Sequence, residues 1–223
     1  MQAIAARMDF DQAVAIFNAA FNPNNRPDVD VVHMFRITQA DIRLEQPILA
    51  TSTQITFPVL SNIQNQAQQF NTEIRLPLQD SFVPTSIGMF LALPSSTADT
   101  TFQLYPYANP FIFPNAVNYR SIYNGTLKIM INNDQLLKNW MIQRHWKANQ
   151  TQQTAAAGAG SPVDQIDGME DGFVPMQPFV LLQGSQDLQI TVNMPVAPAA
   201  VDANARMIMI FRGLQAQNST VVN

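Results

Sequence analysis

Two histidines, His33 and His145, and two tryptophans, Trp140 and Trp146, are the scarce chemistry-bearing side chains of this 223-residue sequence, which has no cysteine. Without a thiol there is no cysteine nucleophile, disulfide or thiolate metal ligand, so the choice of general base narrows to two imidazoles and the carboxylates. His33 alternates with Val29, Val31, Phe35 and Ile37 on the apolar side of a period-two stretch. A hydrogen-bonded core histidine is commoner there than a ligand or base. His145 follows Leu136, Leu137, Trp140 and Met141, whose i, i+1, i+4, i+5 spacing predicts a short helix opened by Asn133 and Asp134. That helix reads as structural, packing its Trp140 face on a sheet.

Asp164, Asp167, Glu170 and Asp171 offer the oxygen ligands calcium prefers. They lack the D-x-D-x-D-G order of the known loop and read as a solvated acidic loop. No nucleophile elbow, phosphate-binding loop, dinucleotide fingerprint or H-E-x-x-H helix occurs. The residues therefore predict no enzyme, no cofactor and no metal site.

Composition points the same way. Charged residues make up 13% of the chain, against roughly 25% in an average soluble protein. The polar surface must come from Gln, Asn, Ser and Thr, and such a surface does little to hold copies of itself apart. A net charge of −4 without a Lys/Arg cluster argues against direct nucleic-acid binding. The longest apolar run, Ile87 to Leu93, is far shorter than the roughly 20 residues a membrane-spanning helix needs. Arg7, Asp9 and Asp11 interrupt the N-terminal stretch, so no secretory leader is expected.

The elements that would position these side chains follow from periodicity. Phe10, Val14, Phe17 and Phe21 recur at i, i+4, i+7 and i+11, predicting an amphipathic helix over 2–21 that stops at Asn22-Pro23. Such a helix either packs under a β-domain or docks on a neighbouring subunit. With Arg7 its one basic residue, a lipid surface is the poorer partner.

Beyond it lie about eleven strand candidates separated by turn signals, the pattern of a sandwich, jelly roll or barrel. They include 29–37, 54–59, 71–78, 126–131, 188–194 and 206–213, with Ile87–Leu93 apolar on both faces, as in a strand buried between layers. Thr101 to Phe113 is studded with aromatics, which read as core or subunit contact in the absence of cations. Residues 148–172 read as a long loop and those after Leu214 as a frayed tail.

Ile42-Arg43-Leu44-Glu45-Gln46-Pro47, Phe70-Asn71-Thr72-Glu73-Ile74-Arg75-Leu76, Asp80-Ser81-Phe82-Val83 and Met209-Ile210-Phe211-Arg212-Gly213 carry a resemblance. In these stretches the chain resembles the major capsid proteins of tailless, icosahedral, membrane-containing phages of the Flavobacterium single-stranded DNA type. The resemblance implies a double jelly roll of two eight-stranded barrels. Three chains would form a pseudo-hexameric capsomer over an internal membrane, in a virion with further capsid proteins such as a penton.

The expected organisation is an N-terminal helical arm and link over 1–27, a first barrel over 28–122, and a second barrel with a flanking helix and long loop over 123–223. A single jelly roll with long loops is the alternative. The expected function is a self-assembling shell protein, with a jelly-roll spike or carbohydrate-recognition module as the alternative. Phe10, Val14, Phe17, Phe21, Trp140 and Trp146 are the candidate subunit contacts. The first 27 residues hold only Arg7 and Arg26, which is consistent with no direct contact to a genome.

Overall fold

The computed structural model describes residues 2–21, 35–58, 70–110, 112–147 and 172–219. His33, with most of the expected strand at 29–37, and the acidic cluster at 164–171 lie outside the described residues.

The helix α1 (Gln2–Phe21) forms as its periodicity predicts. Nine strands follow among the described residues: β1 (Arg36–Pro47), β2 (Gln54–Pro58), β3 (Ser81–Ala92), β4 (Thr126–Ile131), β5 (Asp134–Met141), β6 (Phe173–Pro175), β7 (Leu182–Gln183), β8 (Leu188–Asn193) and β9 (Arg206–Gln217). One helical turn, α2 (Arg120–Tyr123), precedes β4.

All strand pairs are antiparallel and make two sheets. The first has the order β1-β9-β3-β6, with β7 also on β3, and the second β2-β8-β4-β5. The chain changes sheet at each connection except β4–β5 and β6–β7. This wrapping gives a jelly-roll-like sandwich.

The expected division into barrels over 28–122 and 123–223 is corrected by this pairing. β1 lies against β9 along its whole length, from Arg36 opposite Gln217 to Pro47 opposite Arg206, and β2 lies against β8. Strands from both segments thus share both sheets. Two eight-stranded barrels need about sixteen strands, and the nine described here close one sandwich, the arrangement of the single-barrel alternative.

The inner faces supply the core: Leu44 and Ile42 from β1, Phe57 from β2, Met89 from β3, Ile129 from β4, Ile190 from β8 and Met209 from β9. Phe82 and Ile87 both face this core although an odd number of residues apart. A bulge between Pro84 and Ser86 inserts Thr85 and restores the facing. Opposite Pro84 stands Gly213, where a Cβ would lie 2.1 Å from the Val83 carbonyl oxygen. No larger residue fits that approach without moving β3.

The expected flanking helix at 134–147 is also corrected. Asn132 and Asn133 both adopt positive φ, 47° and 70°, the geometry of a two-residue hairpin turn, and β5 folds back on β4. Two bulges in β5 explain the misleading spacing. Ile129 faces Leu137 and Leu127 faces Trp140, so three residues on β5 match two on β4. A three-residue apolar spacing, normally a helical sign, here keeps Leu137 and Trp140 on one face of a strand. Only Ile142–His145 is helical, as one 3-10 turn.

Smaller corrections follow the same logic. Among the described residues, 71–78 holds isolated bridge positions at Ile74, opposite Arg43, and at Leu76 rather than a continuous strand, and 101–113 holds one at Tyr105, opposite Leu91. The expected frayed tail instead continues β9 to Gln217, because β9 is flanked by β1 and β3, each twelve residues long. Asp80 then caps it, accepting from the Asn218 N–H at 2.8 Å.

Candidate functional site

α1 lies on the outer face of the first sheet. Ala13 and Phe17 are fully buried against Val83 of β3 and Ala216 of β9, with Phe21, Phe35, Ile37 and Leu214 packed around them. Phe17 stacks on Phe21 with centroids 6.2 Å apart, and Phe21 meets Phe35 at 5.0 Å. The helix therefore packs within its own chain, the first of the two roles its pattern allows. Phe10 is the exposed member of the stripe, at 40%. It borders a groove whose floor includes Ile37, Thr85, Arg212 and Leu214. Further along β3 and β9 the same outer face is covered by Phe102, Leu104 and Phe173, which pack on Phe90, Ala92, Ile208 and Ile210.

The six candidate contact residues do not converge. Phe17 and Trp140 are buried, Val14, Phe21 and Trp146 are half-buried, and Phe10 is exposed. The four helix residues belong to the first sheet. Trp140 belongs to β5 in the second, and Trp146 follows the 3-10 turn after it.

His145 is fully buried and closed off by neighbours. Its Nε2 accepts from Trp140 Nε1–H at 2.9 Å, which leaves Nδ1 to donate to the Gly172 carbonyl at 3.2 Å. Burial lowers its pKa from the usual 6.5 to about 4, with Arg144 and Lys147 adding to the effect and the Gly172 hydrogen bond opposing it. The imidazole is thus neutral at neutral pH and serves as a packing and hydrogen-bonding group.

Between pH 6.5 and 4 the unfolded chain binds a proton at this site that the folded chain does not. His145 therefore contributes stability that is complete above pH 6.5 and declines as pH falls, by about 3 kcal/mol in all. Urea unfolding of wild type and H145Q at pH 7.5 and 4.5 is expected to show the steeper loss in wild type. Equal losses would contradict the assignment.

A different surface emerges at one end of the sandwich. The connections β1–β2, β3–β4 and β8–β9 and the start of β5–β6 meet there. Ile48 N–H donates to the Ala205 carbonyl at 3.0 Å, Met194 N–H to that of Thr53 at 2.8 Å, and Ile142 N–H to that of Gly125 at 3.2 Å. These loops and the adjoining end of β5 carry exposed aliphatic side chains: Leu49 at 55%, Val117 at 69%, Met141 at 54%, Val196 at 66% and Ile112 at 37%. Leu49, Ile112, Val117 and Val196 stand singly in the connections between strands and carry no periodic signal.

Two polar knots hold this end in shape. Tyr119 donates its hydroxyl to Asp202 Oδ2 at 2.9 Å and accepts from the Asp202 N–H at 2.8 Å, while Asn115 Nδ2 donates to Oδ1 at 2.7 Å. Burial raises the Tyr119 pKa far above the ordinary phenol range, keeping it a donor. In the second knot, Arg206 donates to Glu45 at 3.2 Å and to the Thr97 carbonyl at 2.6 Å, with its guanidinium 3.8 Å from the centre of the Phe70 ring. Glu45 also accepts from Arg43 at 2.9 Å and from the Thr72 hydroxyl.

Comparison with protein families, curated proteins and solved structures finds no match.

The aromatic stretch at 102–113 is largely spent on internal packing. Phe113 is fully buried between Tyr105 and Tyr119, at 5.6 and 5.5 Å, and Phe102 lies under Arg43 and Arg206. Among the described residues no group of three or more His, Cys, Asp or Glu side chains is placed to hold a metal ion.

Proposed function

We propose that this chain is a structural subunit that self-assembles into a closed shell, a viral major capsid protein of the icosahedral, membrane-containing phage type that its sequence resembles. The observation that carries the reading is the set of exposed aliphatic residues at one end of a jelly-roll-like sandwich, Leu49, Val117, Met141 and Val196, mounted on loops tied to one another. Apolar groups fixed in place lose little entropy when a partner covers them, so they favour association between rigid copies. A surface with 13% charged residues adds little repulsion.

In this reading trimers are the building block, the virion is the site of action, and other capsid proteins such as a penton and an internal membrane are the neighbours. Direct contact with nucleic acid is not part of it. A three-chain capsomer of single sandwiches brings three barrels together, so a six-fold appearance takes six chains. Sedimentation of the purified protein over a range of concentrations is expected to show trimers or larger closed particles. A stable monomer throughout would overturn the proposal.

A further inference from the structure

We propose that a pocket between α2 and the 3-10 turn at Ile142–His145 binds one ring of an acidic saccharide. It is lined by Arg120, Tyr123, Asn124, Gln143 and Trp146. Its apolar part is the half-buried Trp146, held by the buried Tyr123, which meets it edge-on with centroids 4.6 Å apart and planes at 80°; Tyr107, outside the lining, stands 6.2 Å from Trp146. Aromatic surface suits the C–H face of a sugar ring, and a few polar groups at the rim then fix its orientation.

Those polar groups are present and unspent. Arg120, Asn124 and Gln143 are exposed, and the structure gives their side chains no hydrogen-bond partner among the described residues. The two amides both donate and accept, which matches hydroxyl groups, while a guanidinium holds a carboxylate through two parallel N–H donors. No carboxylate lines the pocket. Arg144 and Lys147 add positive charge on the same short segment. One guanidinium without a cradle of backbone N–H groups fits a carboxylated sugar better than a phosphate.

The walls are already in place. Asn124 N–H donates to the Arg120 carbonyl at 3.0 Å, Trp146 N–H to that of Gln143 at 3.1 Å, and the Tyr123 hydroxyl to that of Pro106 at 3.4 Å. A site built this way needs little ordering when it is filled.

Every lining residue belongs to one chain, and the pocket lies on the same connections that carry Val117 and adjoin Met141. The test uses the full chain on an array of glycans with uronic or sialic acids and their neutral counterparts, followed by titration of the retained glycans with tryptophan emission as the signal. Acidic glycans are expected to bind at least tenfold more tightly than neutral ones. R120Q is expected to weaken them at least tenfold without changing the melting temperature, and N124A is expected to weaken acidic and neutral glycans alike. Retention of no glycan, equal affinity for neutral glycans, or unchanged binding by R120Q would each overturn it.

Discussion

Replacing Arg206 with methionine is expected to cost about 3–5 kcal/mol of stability, because it strands a buried carboxylate. Glu45 is completely inaccessible and Arg206 is 2% exposed. The substitution also removes the donors to the Ser96 and Thr97 carbonyls and the contact with Phe70. Arg43 and Thr72 still bond Glu45, which limits the damage but does not match a second buried cation. A domain of this size is stable by only about 5–15 kcal/mol, so the loss takes a large share of the total. Urea unfolding measures it, and a loss under about 1 kcal/mol would show that the pair contributes little. Adding E45Q to R206M is expected to cost less than the two single changes combined, since both members of one pair are then altered.

The second large effect concerns assembly. V117D and V196D together are expected to abolish self-association while changing monomer stability by no more than about 0.5 kcal/mol, as is usual for exposed positions. Both side chains are about two-thirds exposed, at 69% and 66%, so the folded monomer tolerates a carboxylate at either. An interface does not, because each buried, unpaired charge costs several kcal/mol. Sedimentation beside urea unfolding separates the two effects. Particles of normal size from the double variant would move the interface elsewhere, and the groove beside Phe10 would be the next surface to examine.

The parts of this fold legible in the sequence are those whose burial is written locally. β4 and β8 alternate because one face meets the core: Leu127, Ile129 and Ile131 on one, Leu188, Ile190 and Val192 on the other. The apolar run at 87–93 is buried on both sides, with Met89 and Leu91 in the central core and Phe90 and Ala92 in the cluster outside it. α1 declares its buried stripe through Phe17.

What escapes local pattern is whatever depends on a distant partner. The bulges of β5 imitate helical spacing, and only the opposite strand reveals them. The pairing of β1 with β9 joins residues from opposite ends of the β-region, Arg36 with Gln217, and no local signal marks it. The exposed aliphatics of the loop end were equally hidden, since Val117 and Val196 come to one end of the sandwich only when the β3–β4 and β8–β9 connections are joined there, as between Tyr119 and Asp202. Phe17 and Trp140 are buried within the chain itself. Large apolar side chains on regular elements are usually consumed by the chain's own core.

The position of β9 bears on how the protein is made. β9 lies between β1 and β3, so neither has its full set of partners until residue 217 has been synthesised. During translation the first sheet is an open slot with two unsatisfied strand edges, and such edges invite pairing with other chains. A chain interrupted before Arg206 keeps β3 paired with β6 and β7 but lacks Ala216, one of the residues against which α1 buries Ala13 and Phe17. Without β9, β1 has no strand partner among the described residues, so a shortened chain cannot form the finished outer face on which α1 packs.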